Sequence, residues 1–159
     1  MVGKGSLGIY DPNAMRTEAA YLRLISIVEA YIDSMCSQLI LSTNDQSEMF
    51  RLLVSTAEER ASSSWREREE AFRTYHNISL SKCDAWKELQ SGIVIRNAIA
   101  HGLGHLTKRQ RKPATRLKVQ SIGARLSDDQ LILDAQCLDQ ALAFSRIFVE
   151  SVDDKISAR

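Results

Sequence analysis

The chain has 159 residues, 44% of them hydrophobic and 26% charged, with only seven glycines and two prolines. That composition excludes a collagen-like or low-complexity chain and predicts one globular domain over residues 1–159 with a core of its own. Net charge is +1, yet the stretch from Leu89 to Ser127 holds Arg96, Lys108, Arg109, Arg111, Lys112, Arg116, Lys118 and Arg125 with no acidic residue, leaving thirteen basic and twenty acidic residues elsewhere. Such asymmetry marks a polyanion-facing region on an acidic body, the plainer alternative being a solvated loop that meets only water and the chain's own acids.

In chain order, MVGKGSLGIYDPNAM has no apolar run of signal-peptide length, and residues 1–12 read as an extended arm. From about Asn13 to Leu41, Tyr21, Leu24, Ile25, Val28, Tyr31, Ile32, Met35 and Leu39 recur in steps of three and four, predicting a long amphipathic helix. STNDQSE breaks it, with Asp45 and Glu48 at the spacing of a capping pair, and a second helix follows through Phe50, Leu53, Val54 and Ala57. ASSSWREREEAFRTYH predicts a third, entered through the serines and charged on its outer face, with Trp65 in the core and His76 at the surface or as a cap. A fourth runs from about Lys82 to His101, with Trp86, Leu89, Ile93 and Ala100 on one stripe, and Gly102 and Gly104 stop it. TRLKVQSIGARLSDDQLIL alternates in pieces around Gly123 and predicts a small hairpin. A last helix follows from about Asp134 through Leu138, Ala141, Leu142, Ser145, Phe148, Val149, Val152 and Ile156. The expectation is an all-α, antiparallel bundle of four to five helices with a small basic loop or hairpin before the last.

Cys36, Cys83 and Cys137 are odd in number and form no C-x-x-C pair, so free buried thiols in a cytoplasmic protein are expected, with no disulfide frame and no zinc site. No run approaches the roughly 20 apolar residues that span a membrane. His101 and His105 stand at i and i+4, but two glycines lie nearby and no carboxylate is close in sequence, so neither a metal nor any other cofactor is expected.

The stretch IRNAIAHGLG, residues 95–104, places Arg96 and His101 five positions apart in a small-residue run. A helix turns about 100° per residue, so His101 would project about 140° away from Arg96, with Arg96 over Ala100 and Asn97 over His101. Either the helix ends at His101 and the Gly102 turn folds the imidazole back, or the two side chains meet groups of a second copy. In a purely structural role, Arg96 would anchor a carboxylate of the first helix and His101 would sit at the helix C-terminus as a dipole ligand.

The Arg with its polar neighbour and a His five residues on, closing the penultimate helix of an all-α bundle with Gly after the His and a basic tract next, resembles the HEPN superfamily, and the run IRNAIAHGLGHLTKRQ followed by a hairpin looks most like its RiboL-PSP branch. The resemblance covers most of the chain and implies a homodimer with facing motifs, acting as a metal-independent endoribonuclease in a toxin–antitoxin or antiphage system. A catalytically inactive module that binds RNA or a protein is the alternative. A small antitoxin or a nucleotidyltransferase is the implied partner. His101 would take the proton of the RNA 2′-hydroxyl, Arg96 would stabilise charge on the phosphate, and Asn97 would orient the imidazole, leaving a 2′,3′-cyclic phosphate. Lys108, Arg109, Arg111, Lys112, Arg116 and Lys118 would hold the RNA backbone.

Overall fold

Pro12 opens the first helix, α1 (Pro12–Leu41), where its missing N–H costs nothing, and the Asp11 side chain accepts from the Asn13 amide at 2.9 Å. Tyr21, Ile25, Val28, Ile32 and Cys36 are all buried along one stripe of it. The computed structural model describes residues 11–41 and 47–158; of the expected arm only Asp11 and Pro12 fall within them, and Asp45 lies outside. The cap of α2 (Glu48–Ala61) is Ser47, whose hydroxyl accepts from the Phe50 amide, with Glu48 in the first turn. Ser64 likewise caps α3 (Trp65–His76) through the Glu67 amide.

A single 3-10 turn, Leu80–Lys82, follows, and Ala85 takes φ 54° before α4 (Trp86–Gly102) begins. The fourth helix therefore starts four residues later than its apolar pattern predicts, because a left-handed residue interrupts the run. Its end also differs. Gly102 stays helical, and the left-handed cap is Leu103 at φ 51°, with the Gly104 amide donating to the Ala98 carbonyl at 3.2 Å. Ala100, expected on the inner stripe, is exposed.

The expected hairpin is confined to β1 (Arg125–Ser127) and β2 (Gln130–Ile132), antiparallel with Leu126 opposite Leu131. The residues before it form α5 (Pro113–Ser121), with Pro113 at its first position and Val119 as its buried residue. The reason is local: a proline at the start favours helix, and among the described residues no strand is adjacent to pair with an extended TRLKVQS. Asp134, accepting from the Cys137 amide at 3.0 Å, caps α6 (Ala135–Ser157).

Cross-helix contacts give the directions. Glu29 meets Arg96 and Glu18 meets Gly104, so α1 and α4 are antiparallel; Tyr21 lies by Gly92 beside Phe144, and the Tyr31 hydroxyl donates to Asp153, so α1 and α6 are parallel. With α1 antiparallel to α2 and parallel to α3, the chain runs up, down, up, down, up through α1, α2, α3, α4 and α6, with the short α5 and the hairpin inserted before the last. α1 packs on all four of the other long helices. α4 and α6 approach closely at Gly92, where a Cβ would stand 2.8 Å from the Phe144 ring. Trp65 meets Trp86 and Phe148 edge to face at 5.9 and 6.2 Å between rings, and Trp86 lies tilted against Phe148 at 5.9 Å.

Two polar pairs sit inside this core. Arg68, in the helix expected to carry its charge outward, is buried and forks onto Asp33 of α1 at 2.7 and 2.8 Å, with its guanidinium also over Trp65. His76 is a correction: it is 2% exposed, not at the surface, with Nε2 3.6 Å from the Cys36 sulfur. Cys36, Cys83 and Cys137 are free and buried.

Candidate functional site

α4 turns Leu89, Ile93, Ile95 and Ala98 inward, which leaves Arg96 and Asn97 half-buried and His101 exposed in the last turn. Arg96 Nη2 lies 3.6 Å from Glu29 Oε2, and Nη1 donates to Asn97 Oδ1 at 3.1 Å. Its Nε is buried with no hydrogen-bond partner among the described residues. The other oxygen of Glu29 accepts from the Trp65 indole at 3.0 Å, so the aromatic centre fixes the carboxylate that holds the arginine. Glu29 was not legible as part of this site; the expectation of some carboxylate on the first helix is as near as the sequence came.

Asn97 is expected beneath the imidazole, but its oxygen serves Arg96 instead. Because α4 continues through Gly102, the fold-back of His101 is not the arrangement adopted. The arginine itself narrows the angular gap. Asn97 stands about 100° round the helix from Arg96 and His101 about 140°, so the Arg96–Asn97 hydrogen bond lies on the side of the helix that carries the histidine. His101 makes no hydrogen bond or ion pair with any described residue.

The basic tract divides in two. Arg111 pairs with Asp129 at 3.0 Å and donates to the Leu106 carbonyl at 3.1 Å, while Arg116 pairs with the same Asp129 and donates to the Asp128 carbonyl at 2.6 Å. These two arginines clip the hairpin turn to the loop that follows α4. Lys108, Arg109, Lys112 and Lys118 are exposed and form no ion pair among the described residues.

His105 follows the Leu103 cap, its amide bonded to the Gly102 carbonyl at 2.9 Å and its backbone bridged to Gln130. The helix ends between His101 and His105, so they do not share a helical face, and among the described residues no group of three or more His, Cys, Asp or Glu is placed to hold a metal ion. Glu18 of α1 does reach this end: its carboxylate lies against Gly104, burial raises its pKa, and the charge of His105 opposes that rise. The sequence concealed this carboxylate because it stands more than eighty residues upstream.

Compared with known protein families, curated proteins and solved structures, the chain matches none. Among the described residues no helix is long and apolar enough to cross a membrane.

Proposed function

We propose that this chain is a HEPN-type endoribonuclease, cleaving RNA through its own 2′-hydroxyl without a metal and acting as a homodimeric toxin or antiphage effector in the cytoplasm. The observation that carries the reading is the Arg96 guanidinium, bonded to Asn97 one turn before a solvent-facing His101, in the helix followed by a segment with four exposed cations that have no acidic partner among the described residues. His101 accepts the 2′-hydroxyl proton, the freed oxygen attacks the adjacent phosphorus, and Arg96 meets the charge that builds on the phosphate oxygens. An unpaired buried N–H costs about 1–3 kcal/mol, and a phosphate oxygen at Arg96 Nε would remove that cost. Lys108, Arg109, Lys112 and Lys118 hold the RNA backbone. An antitoxin or a nucleotidyltransferase is the partner this reading calls for.

One observation favours the second reading, an inactive module that binds RNA or a protein: the Arg96–Glu29 contact engages the guanidinium with a carboxylate already. Expression in a bacterial host, wild type beside Arg96→Ala and His101→Ala, separates the two. Growth arrest and RNA fragments with 2′,3′-cyclic phosphate ends, persisting in excess EDTA with purified protein, are expected of the wild type alone, while both variants keep helicity. Wild-type protein that binds RNA but leaves it whole would establish the module, and cleavage lost to EDTA and restored by a divalent ion would overturn the metal-free mechanism.

A further inference from the structure

Transfer through the 2′-hydroxyl needs two proton movements, and His101 supplies one. As the 2′-oxygen bonds to phosphorus and the bond from phosphorus to the 5′-oxygen breaks, that oxygen leaves as an alkoxide unless a positioned acid protonates it. Resting on the ribonuclease reading, we infer that His105 is this acid: a second catalytic histidine, brought to the His101 end of α4 by the Leu103–Gly104 turn, which gives its proton to the departing 5′-oxygen.

The placement rests on three contacts. The His105 amide donates to the Gly102 carbonyl at 2.9 Å and the Gly104 amide to the Ala98 carbonyl at 3.2 Å, so the backbone that carries His105 is tied to the same last turn of α4 that carries His101. The backbone bridge to Gln130 fixes the segment from the other side, through a hairpin that Arg111 and Arg116 tie to Asp129. The ring Nδ1 is 3.4 Å from the Leu103 carbonyl, which favours a proton there and leaves Nε2–H of the charged ring for the substrate.

The other charged groups at this end do not suit the step. The chemistry of the step calls for a group that both gives and regains a proton near neutral pH, a role to which an imidazole is suited by type and an ammonium or guanidinium is not. Glu18 reaches the same end of α4, its carboxylate lying against Gly104 next to His105. The protons balance: one passes from the 2′-hydroxyl to His101, one from His105 to the 5′-oxygen, and exchange with water returns both histidines to their starting forms.

A change of leaving group tests this. In uridine 3′-(4-nitrophenyl) phosphate the nitrophenolate departs without a proton, while a dinucleotide such as uridylyl-adenosine requires one. His105→Gln is expected to cut the dinucleotide about 100-fold or more slowly and the nitrophenyl ester within a few-fold of wild type, and His101→Ala to lose both. Retained activity on the ester also certifies that the variant is folded. Dinucleotide cleavage by His105→Gln at the wild-type rate, as a partner copy's histidine acting as acid would give, overturns the inference while leaving the ribonuclease reading intact. Equal loss on both substrates overturns it too, and wild-type protein that cleaves neither removes the ribonuclease reading itself.

Discussion

Two arginines in this chain show opposite uses of one side chain. Arg68 is buried, forks onto both oxygens of Asp33 at 2.7 and 2.8 Å through Nε and Nη2, and adds the Ser62 carbonyl at 3.0 Å from Nη2, so the group locks α3 to α1. Arg96 touches Glu29 at 3.6 Å, shares one nitrogen with Asn97 and leaves Nε without a partner among the described residues. A side chain serving only the fold gains by saturating its donors, and Arg96 has not done so. Leu103 is a second residue placed against its own preference, left-handed at φ 51° and 89% exposed, where an L side chain costs about 1–2 kcal/mol. Leu103→Gly relieves that strain but adds freedom to the unfolded chain, so a net gain of about 0.5–1 kcal/mol is expected, read as a higher urea midpoint. A lower midpoint would mean that the exposed leucine makes a stabilising contact.

At the scale of elements, the insertion between α4 and α6 is seated on the core and fastened by charge. Val119, Ile122, Ala124 and Leu131 anchor it from beneath, and Asp129 gathers Arg111 and Arg116 above. Those pairs are partly exposed, so each contributes up to about 1 kcal/mol. The tract thus separates into residues that build the loop and residues free to meet a polyanion. Replacing Lys108, Arg109, Lys112 and Lys118 by Gln is expected to flatten the salt dependence of RNA binding by about 0.7 in log–log slope for each phosphate left without its cation, with the melting temperature little changed. Arg111→Gln with Arg116→Gln should do the reverse, lowering the melting temperature and moving the slope less. An unchanged slope in the fourfold variant would show that those cations face only solvent.

For the whole molecule, the core sets a limit on alkaline stability. Burial pushes the Cys36 and Cys137 thiols up from 9.0 to about 11, because the thiolate would lie in an apolar interior. An acid whose pKa is raised by folding favours the folded state while it stays protonated. The contribution is therefore complete below about pH 9 and is lost as pH climbs toward 11, on the order of 2 kcal/mol for each thiol. Urea midpoints measured from pH 7 to 11 should fall over that window, and fall less steeply for Cys36→Ala with Cys137→Ala. Parallel curves for the two proteins would contradict the assignment.

Much of this architecture was legible because its causes are local. Tyr21, Ile25, Val28 and Ile32 sit on one stripe of α1 as their three-and-four spacing predicts, and Ser64 and Asp134 cap the helices that follow them because a short oxygen-bearing side chain satisfies the first free amides wherever a helix starts there. The same local reasoning placed Asn97 one turn before His101 and could not see its oxygen accept from Arg96. Beyond a first-helix carboxylate for Arg96, which Glu29 supplies, contacts between distant residues were closed to it. His76 looked like a surface residue at a helix break, since nothing near it reveals Cys36 forty positions earlier. Arg111 and Arg116 were indistinguishable from Lys108 and Lys118 until the hairpin carried Asp129 back to them. Periodicity and capping depend on neighbours in the chain, and so survive in the sequence. Which cation finds a carboxylate, and which is left facing outward, depends on where helices dozens of residues apart come to lie, and only the packed bundle settles that.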